Sequence, residues 1–438
     1  MVEEVSRNCF KTFRSQARYS VCALQIVALC YAVRMTNSGP SEATCPYDVK
    51  RLAALLGVTP ATIRTMHSRN QLSAETGENI NGGALWAQEI VDAYFAPKRN
   101  NVAGVESDPD LPQVVDLFSG CGGLSLGFQF AGFDVIHGFD NWQCAVNTYT
   151  ANLGHDGTLL DLSDVQETIH VLEPIFESAE HTPAIIGGPP CQDFSSAGKR
   201  VEGQRADLTE KYAYVVSYFE PPFFVMENVA RAKGAGAYQR ALDTLCASGY
   251  SVDTIVLNAD RCGVPQTRKR LIAVGSRDEA KTKRIMELLV ENQSDKPMTL
   301  RDYFGDRLGT DHYYRHPRSY ARRGVFSIDE PSPTVRGVNR PIPAGYSGHP
   351  GDSAPVAQAR PLTTAERAEV QTFPPGFTFV GSRTNTEQMV GNAVPVRLAK
   401  FIGDQIATAW KEGHWEPGAK PADRTESRSI YEISVKLN

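Results

Sequence analysis

From residue 114 onward, short apolar runs alternate with stretches of helical periodicity. That alternation restricts this part of the chain to an α/β architecture on a parallel sheet. The expected strands are Val114 to Phe118, Asp134 to Phe139, Ala184 to Gly187, Phe223 to Glu227, Ser251 to Asn258 and Arg270 to Gly275. The rhythm lapses between about 280 and 360, where Arg, Tyr, Pro and Gly prevail. It resumes at about 361 and closes in a helix, Val396 to Trp410, followed by a polar tail over 413–438.

The first hundred residues have a different texture. Residues 1–97 read as helical, and 98–112 form a polar linker rich in Pro, Asn and Asp. Within the helical part, Val49 to Leu56 is apolar-periodic and breaks at Gly57. Thr59 then offers an N-cap, Pro60 suits a first helical position, and the next helix turns Ile63 inward with Arg64, His67 and Arg69 outward. The segment 48–69 has the form of a helix-turn-helix, and a helical hairpin that touches no DNA is the competing reading. Ala84 to Phe95 reads as one more helix.

Charge and cysteine content narrow the setting. The net charge is −5, so any nucleic-acid contact must come from local basic surfaces. Nine cysteines are scattered without one C-x-x-C pair, which argues against zinc and disulfide frameworks and for reduced thiols in the cytoplasm. The longest apolar segment, Val21 to Val33, is short and flanked by Arg18 and Arg34, so no membrane span is expected. Acidic Glu3 and Glu4 open the chain, and no signal peptide is expected either.

Two segments carry chemistry. Val114 to Phe128 is a strand, a glycine-rich turn and a helix start, where Gly120, Gly122 and Gly123 let backbone approach a ligand. Asp140 closes the next strand, where a carboxylate can hold ribose hydroxyls, and Asp161 fits the end of a third. No basic residue in the turn offers to hold phosphate, which favours a nucleoside with an amino-acid tail over a dinucleotide. The second segment, Ala184-Ile-Ile-Gly-Gly-Pro-Pro-Cys191-Gln, ends a strand and presents a cysteine at the carboxyl edge of the sheet, where ligands sit in open α/β folds. A thiolate there is a strong nucleophile that can also leave. Glu227 closes another buried strand; it either pairs with an arginine or donates a proton to a ring nitrogen. In Cys262-Gly-Val-Pro-Gln-Thr-Arg-Lys-Arg, Arg268 and Arg270 share a face with Gln266, for phosphate contact or as a solvated basic strand.

In order, Asp-Leu-Phe-Ser-Gly-Cys-Gly-Gly, Gly-Pro-Pro-Cys-Gln, Glu-Asn-Val, Gln-Thr-Arg-Lys-Arg and Gly-Asn-Ala-Val-Pro resemble the ordered motifs of bacterial-type C5-cytosine DNA methyltransferases, from about residue 112 to 412. The resemblance implies a Rossmann-like catalytic domain over 113–279 and 361–412 and a smaller irregular target-recognition domain over 280–360. It implies S-adenosylmethionine as cofactor and double-stranded DNA as substrate, bound by a monomer, with room for a cognate restriction endonuclease. Catalysis would fall to Cys191 as nucleophile, Glu227 at cytosine N3, Arg270 at O2 and Arg268 beside it. The cofactor would meet Asp116, Phe118, Ser119, Gly120, Cys121, Gly122, Gly123 and Leu124, together with Asp140, Asp161, Leu162, Pro190, Asn392 and Ala393. The substrate would meet Pro189, Gln192, Ser195, Arg205, Asn228 and Gln266, some of them on a mobile loop over 192–211. Trp142 stands one place later than the family's bulky residue, and no stacking role is assigned to it.

Residues 301–340 hold eight arginines and no lysine, against five acidic residues. Arginine reads guanine bidentately, so this bias suits base reading; a solvated basic loop is the alternative. RNA-methylating relatives carry a Cys-Phe-Thr signature, or a cysteine on the strand that here reads Met226-Glu-Asn, and neither is present. A DNA-binding regulator with a lost enzyme domain is the reading from another class. The helix-turn-helix supports it; Cys191, Glu227 and the glycine turn oppose it.

Overall fold

The computed structural model describes residues 47–55, 60–61, 63–64, 77–78, 84–86, 104, 106–190, 207–319 and 321–413. Seven strands form the central sheet: β1 Val114–Leu117, β2 Val135–Asp140, β3 Gly157–Leu159, β4 Ala184–Gly187, β5 Phe223–Val229, β6 Ser251–Asn258 and β7 Lys269–Ser276. Their order across the sheet is β3-β2-β1-β4-β5-β7-β6. The first five run parallel, whereas β7 is antiparallel to both β5 and β6. The sheet is therefore mixed, correcting the all-parallel expectation. The segment from Ala259 to Arg268 is too short for a crossover helix, so β7 must return beside β6 in the opposite sense.

The period-two pattern of the strands fills two cores. Val114, Ile186, Val225, Ile272 and Val274 face one side, against α1 (Gly123–Phe130), α6 (Glu279–Glu291) and α9 (Val396–Glu412). Their neighbours Val115, Ile185, Phe224, Leu271 and Ala273 face the other, against α3 (Val165–Ser178), α4 (Asp207–Phe219) and α5 (Gly236–Ala247). Burying each such large side chain stabilises the fold by roughly 1.5–3 kcal/mol. Between β2 and β3 lies α2 (Gln143–Asn152). Small residues let α9 lie on α1: a Cβ at Gly127 would fall 2.3 Å from Ala399 Cβ, and one at Gly403 2.7 Å from Ala131 Cβ. No helix among the described residues is long and apolar enough to cross a membrane.

Helix α6 packs Ile285, Leu288 and Leu289 into the sheet core, so the catalytic core runs past residue 279. The irregular region follows. Its three-stranded sheet orders β9 (Val325–Ser327), β8 (His312–Tyr314) and β10 (Arg360–Pro361). Two helices lead back to the core: α7 (Thr364–Val370), started by a Thr363–Glu366 capping box, and α8 (Arg383–Asn392), capped by Ser382. A third core joins region to sheet, with Tyr313, Phe326, Val335 and Phe373 packed beside Leu126 and Tyr149.

Near the N-terminus, the helix Val49–Leu55 forms as expected and Asp48 caps it. Pro60, Ala61, Ile63 and Arg64 are helical, with Ile63 buried and Arg64 exposed. The intervening residues 56–59, and His67 and Arg69, lie outside the described residues. Ala84–Trp86 is a strand, not the start of a helix; it pairs antiparallel with Tyr47–Asp48 and Gly77–Glu78. The sequence Asn79-Ile-Asn-Gly-Gly83, which lies outside the described residues, is rich in turn formers and so disfavours a helix beginning at Ala84.

Candidate active site

The carboxyl ends of β1, β2, β4 and β5 open onto a cleft of about 710 Å³. The glycine turn forms its floor. Phe118 and Gly120 both take positive φ, 60° and 55°, which swings the chain sharply off β1. Asp140, at the end of β2, holds this turn: Oδ2 accepts from Gly120 N at 2.9 Å and Oδ1 from Trp142 N at 2.9 Å. Burial raises the Asp140 pKa, and the backbone N–H groups pull it back. Phe118, Ser119, Gly120, Cys121, Gly123 and Leu124 line the cleft, and Leu160, Asp161 and Leu162 form one wall. Burial pushes the Cys121 thiol up to about 12, so this cysteine of the cleft is held as a neutral thiol.

Two residues assigned to the cofactor face elsewhere. Gly122 turns toward Leu153, whose Cδ1 would stand 2.2 Å from an added Cβ. Asp116 is fully buried behind the turn, with Ser125 Oγ 2.6 Å from its Oδ2 and no partner for Oδ1. Strand alternation explains the second case, since Asp116 is two residues from Val114 and shares its face. Trp142, given no role from sequence, lines the cleft, as do Leu208, Gln388 and Met389, which no local motif marks.

The opposite side carries the reactive groups. Strand β4 ends where Gly187 presses on Leu117 O, which would lie 2.5 Å from a Cβ, and Pro189 and Pro190 then line the cleft. Cys191, Gln192, Ser195 and Arg205 lie outside the described residues. Glu227 projects from β5 and meets Arg270 of β7, with Nε to Oε1 at 2.6 Å. Both side chains are little exposed, 11% and 13%, so this ion pair is far less screened than a surface pair. Gly188 keeps room for it, because an added Cβ would stand 3.3 Å from Glu227 Oε2. Asn228 Nδ2 donates to the Pro189 carbonyl at 3.4 Å.

The sequence places Arg268 and Gln266 toward DNA, and the structure gives both another task. Arg268 is 2% exposed and donates to Val335 O at 3.3 Å, Gly391 O at 3.1 Å and Ala393 O at 3.0 Å. Its guanidinium ties the irregular region to the Gly-Asn-Ala-Val segment, so no phosphate contact is available to it. Burial lowers the Arg268 pKa, with the like charge of Arg270 adding to that. Gln266 donates to Gln371 Oε1 at 2.6 Å and accepts from Val335 N at 2.8 Å, which commits its amide to the same junction. Asn392 and Ala393 line the cleft as expected, carried there by the end of α8.

Residues 112–408 match the family model for C-5 cytosine-specific DNA methylases. The Type II methyltransferase M.HgiDI of Herpetosiphon aurantiacus is 49% identical over 296 residues, which cover 67% of this chain and 94% of that one. The Type II methyltransferase M.HindV of Haemophilus influenzae is 48% identical over 302 residues, covering 68% and 97%. A crystal structure from E. coli, of a DNA modification methyltransferase encoded within a prophage, superposes with a TM-score of 0.53 at 23% identity. That match covers 69% of this chain and all of the other. The family match leaves residues 1–111 uncovered.

Proposed function

The chain belongs to the C-5 cytosine-specific DNA methylase family, and from that premise we propose how its residues divide the transfer of a methyl group to a cytosine flipped out of duplex DNA. The observation that carries the reading is the Glu227–Arg270 pair, held at 2.6 Å beside the Pro189–Pro190 step that leads into Cys191. Cytosine presents O2 and N3 side by side on one edge. A guanidinium N–H facing O2 and a carboxyl sharing a proton with N3 match that edge. As N3 gains the proton, C6 becomes electrophilic enough for the Cys191 thiolate; its addition there pushes electron density onto C5, which takes the methyl group, and loss of the C5 proton then expels the thiolate and restores the ring. Arg270 fixes the Glu227 rotamer before the base arrives, so the geometry is set in advance.

The other half of the cleft fits S-adenosylmethionine. Its apolar walls, Phe118, Trp142, Leu160 and Leu162, suit an adenine, and Asp140 and Asp161 suit hydroxyl and amine donors. Among the described residues of this half no basic side chain is present, and the two arginines of the cleft, Arg268 and Arg270, are held on the other side by backbone carbonyls and by Glu227. The cofactor supplies the activated methyl group, while Asp140 and Asp161 orient the nucleoside. The region from about 300 to 360 selects the DNA site, and the biological role is protection of host DNA alongside a restriction endonuclease. The Type II names of relatives sharing nearly half their residues support that role.

DNA carrying 5-fluorocytosine tests the assignment, because its C5 substituent cannot be eliminated and a covalent adduct accumulates. Wild-type protein forms that adduct and Cys191→Ser does not, while keeping cofactor affinity. An adduct that persists in Cys191→Ser overturns the proposal.

A further inference from the structure

The eight arginines of residues 301–340 sort into three groups. Arg301, Arg307 and Arg323 are ion-paired, with Asp311 and Asp329, with Glu369 and with Glu330. Arg315 and Arg336 are spent on backbone, donating to Thr334 O and His316 O. These two bonds tie the segment around residues 315–316 to the segment around 334–336. Arg318, Arg322 and Arg340 are exposed. Of the last group, Arg340 makes no side-chain hydrogen bond or ion pair with any described residue.

The stretch from Arg336 to Arg340 leaves the rim of the reaction cleft. Just before it, Ser332–Pro333 pairs in parallel with Gln266–Thr267, next to the arginine strand β7. Gly337 lies against Gln388 and Gly391, both of which line the cleft. The segment is held at two points: the Arg336 carbonyl accepts from Arg367, and the Asn339 side chain donates through Nδ2 to Leu362 O at 2.9 Å. Val338 and Arg340 are exposed, Val338 with 57% of its surface. Pro341 confines Arg340 to an extended backbone, so the guanidinium is presented from a stiff base. Burial, and then the like charges of Arg318 and Arg340, lower the pKa of Arg336, and no carboxylate counters them.

We propose that Arg340 is a guanine-reading residue of this enzyme, entering the major groove with Val338 beside it. The inference rests on the reading of residues 300–360 as the target-selecting region. A guanidinium with no partner among the described residues can give both its donors to O6 and N7 of guanine, and an exposed valine suits the thymine methyl, the apolar group of that groove.

The test is a bisulfite map of every methylated cytosine in plasmid DNA from hosts expressing wild type, Arg340→Ala, Arg340→Lys, Arg318→Ala or Arg322→Ala. Arg340→Ala and Arg340→Lys are expected to lose preference for guanine at one position of the site, by roughly ten- to a hundredfold, with other positions unchanged. Lysine fails because it lacks the two-donor fork. A uniform fall in rate with an unchanged map would make Arg340 a phosphate contact and overturn the inference. If Arg318→Ala or Arg322→Ala shifts the map while Arg340→Ala does not, Arg340 alone is wrong. If none of the variants shifts it, the region does not choose the target and the underlying reading falls too.

Discussion

Arg270 Nε stands 2.6 Å from Glu227 Oε1, across the antiparallel pairing of β7 with β5. On the proposed reading, the residue that holds the carboxyl ready is one that the base also engages. Glu227→Gln keeps a hydrogen-bonding group of the same shape but removes the proton exchange with N3. It should cut the methyl-transfer rate at saturating DNA by about 10²–10⁴-fold, the usual worth of general acid–base help, and leave DNA affinity within a fewfold. Single-turnover kinetics beside a binding isotherm separate the two; a pure affinity loss would make Glu227 structural.

Asp140 both holds the glycine turn and faces the cleft, whereas Asp161 is exposed and its Oδ1 accepts only from Ser163 N at 3.0 Å. The two substitutions should therefore differ. Asp161→Ala is expected to weaken cofactor binding about tenfold with the melting temperature unchanged. Asp140→Ala weakens it more and also lowers the melting temperature, because two backbone N–H groups lose their acceptor. Calorimetry and thermal melts decide this, and equal behaviour of the two would refute the dual role of Asp140.

Arg268 braces three carbonyls from segments far apart in sequence. Arg268→Ala takes the side-chain donor from Val335 O and Gly391 O, which costs about 1–3 kcal/mol apiece, while Ala393 O keeps Gln371 Nε2 at 3.2 Å. Because Gly391 and Ala393 line the cleft, cofactor affinity should fall along with stability, while Arg268→Lys recovers only part of either. If the alanine variant binds cofactor like wild type, the brace does not shape the cleft.

Burial raises the Asp116 carboxyl to about 8, against the weaker pull of the Ser125 hydroxyl, with Asp140 adding to the rise. A chain from protonated Asp116 through Ser125 and Tyr149 to His155 Nε2, with steps of 2.6, 2.9 and 2.7 Å, gives each hydroxyl a partner. The folded state thus keeps a proton that the unfolded chain releases near pH 4, and stability falls as pH rises toward 8. The slope should be about 1 kcal/mol per pH unit between roughly pH 7 and 8. Burial lowers His155 to about 4, so its own loss of stability lies on the acid side and does not intrude. Asp116→Asn should flatten the alkaline slope in denaturant titrations. An unchanged slope would mean that Asp116 is ionised.

Strand alternation and the motif order made the core legible in the sequence. Ala184–Gly187 and Ser251–Asn258 form as read, and Phe118, Asp140, Glu227 and Arg270 meet at one cleft. Strand direction was not legible, because a period-two pattern is the same read either way along the chain. Nor was the task of Arg268, since sharing a face with Arg270 says nothing about carbonyls that arrive from Val335, Gly391 and Ala393. Asp116 was misread although strand alternation puts it on the face of Val114; its partner Ser125, itself bonded to Tyr149, sits on a helix whose placement no local pattern gives.

The cleft draws its lining from both ends of the catalytic region. Gly123 opens α1 and would, with a Cβ, collide with Val394 O at 2.3 Å, while α9 seals the same side of the sheet. A ribosome making this protein therefore releases the Pro-Pro-Cys strand and the Glu227 strand long before the segment that completes the cofactor wall. The nascent chain can fold its sheet in the usual vectorial manner, yet it cannot hold a methyl donor until residues 391–394 have emerged and α9 has docked. On the proposed reading, modification of DNA thus waits for these residues, and a chain terminated before them would carry Cys191 without a complete cofactor wall.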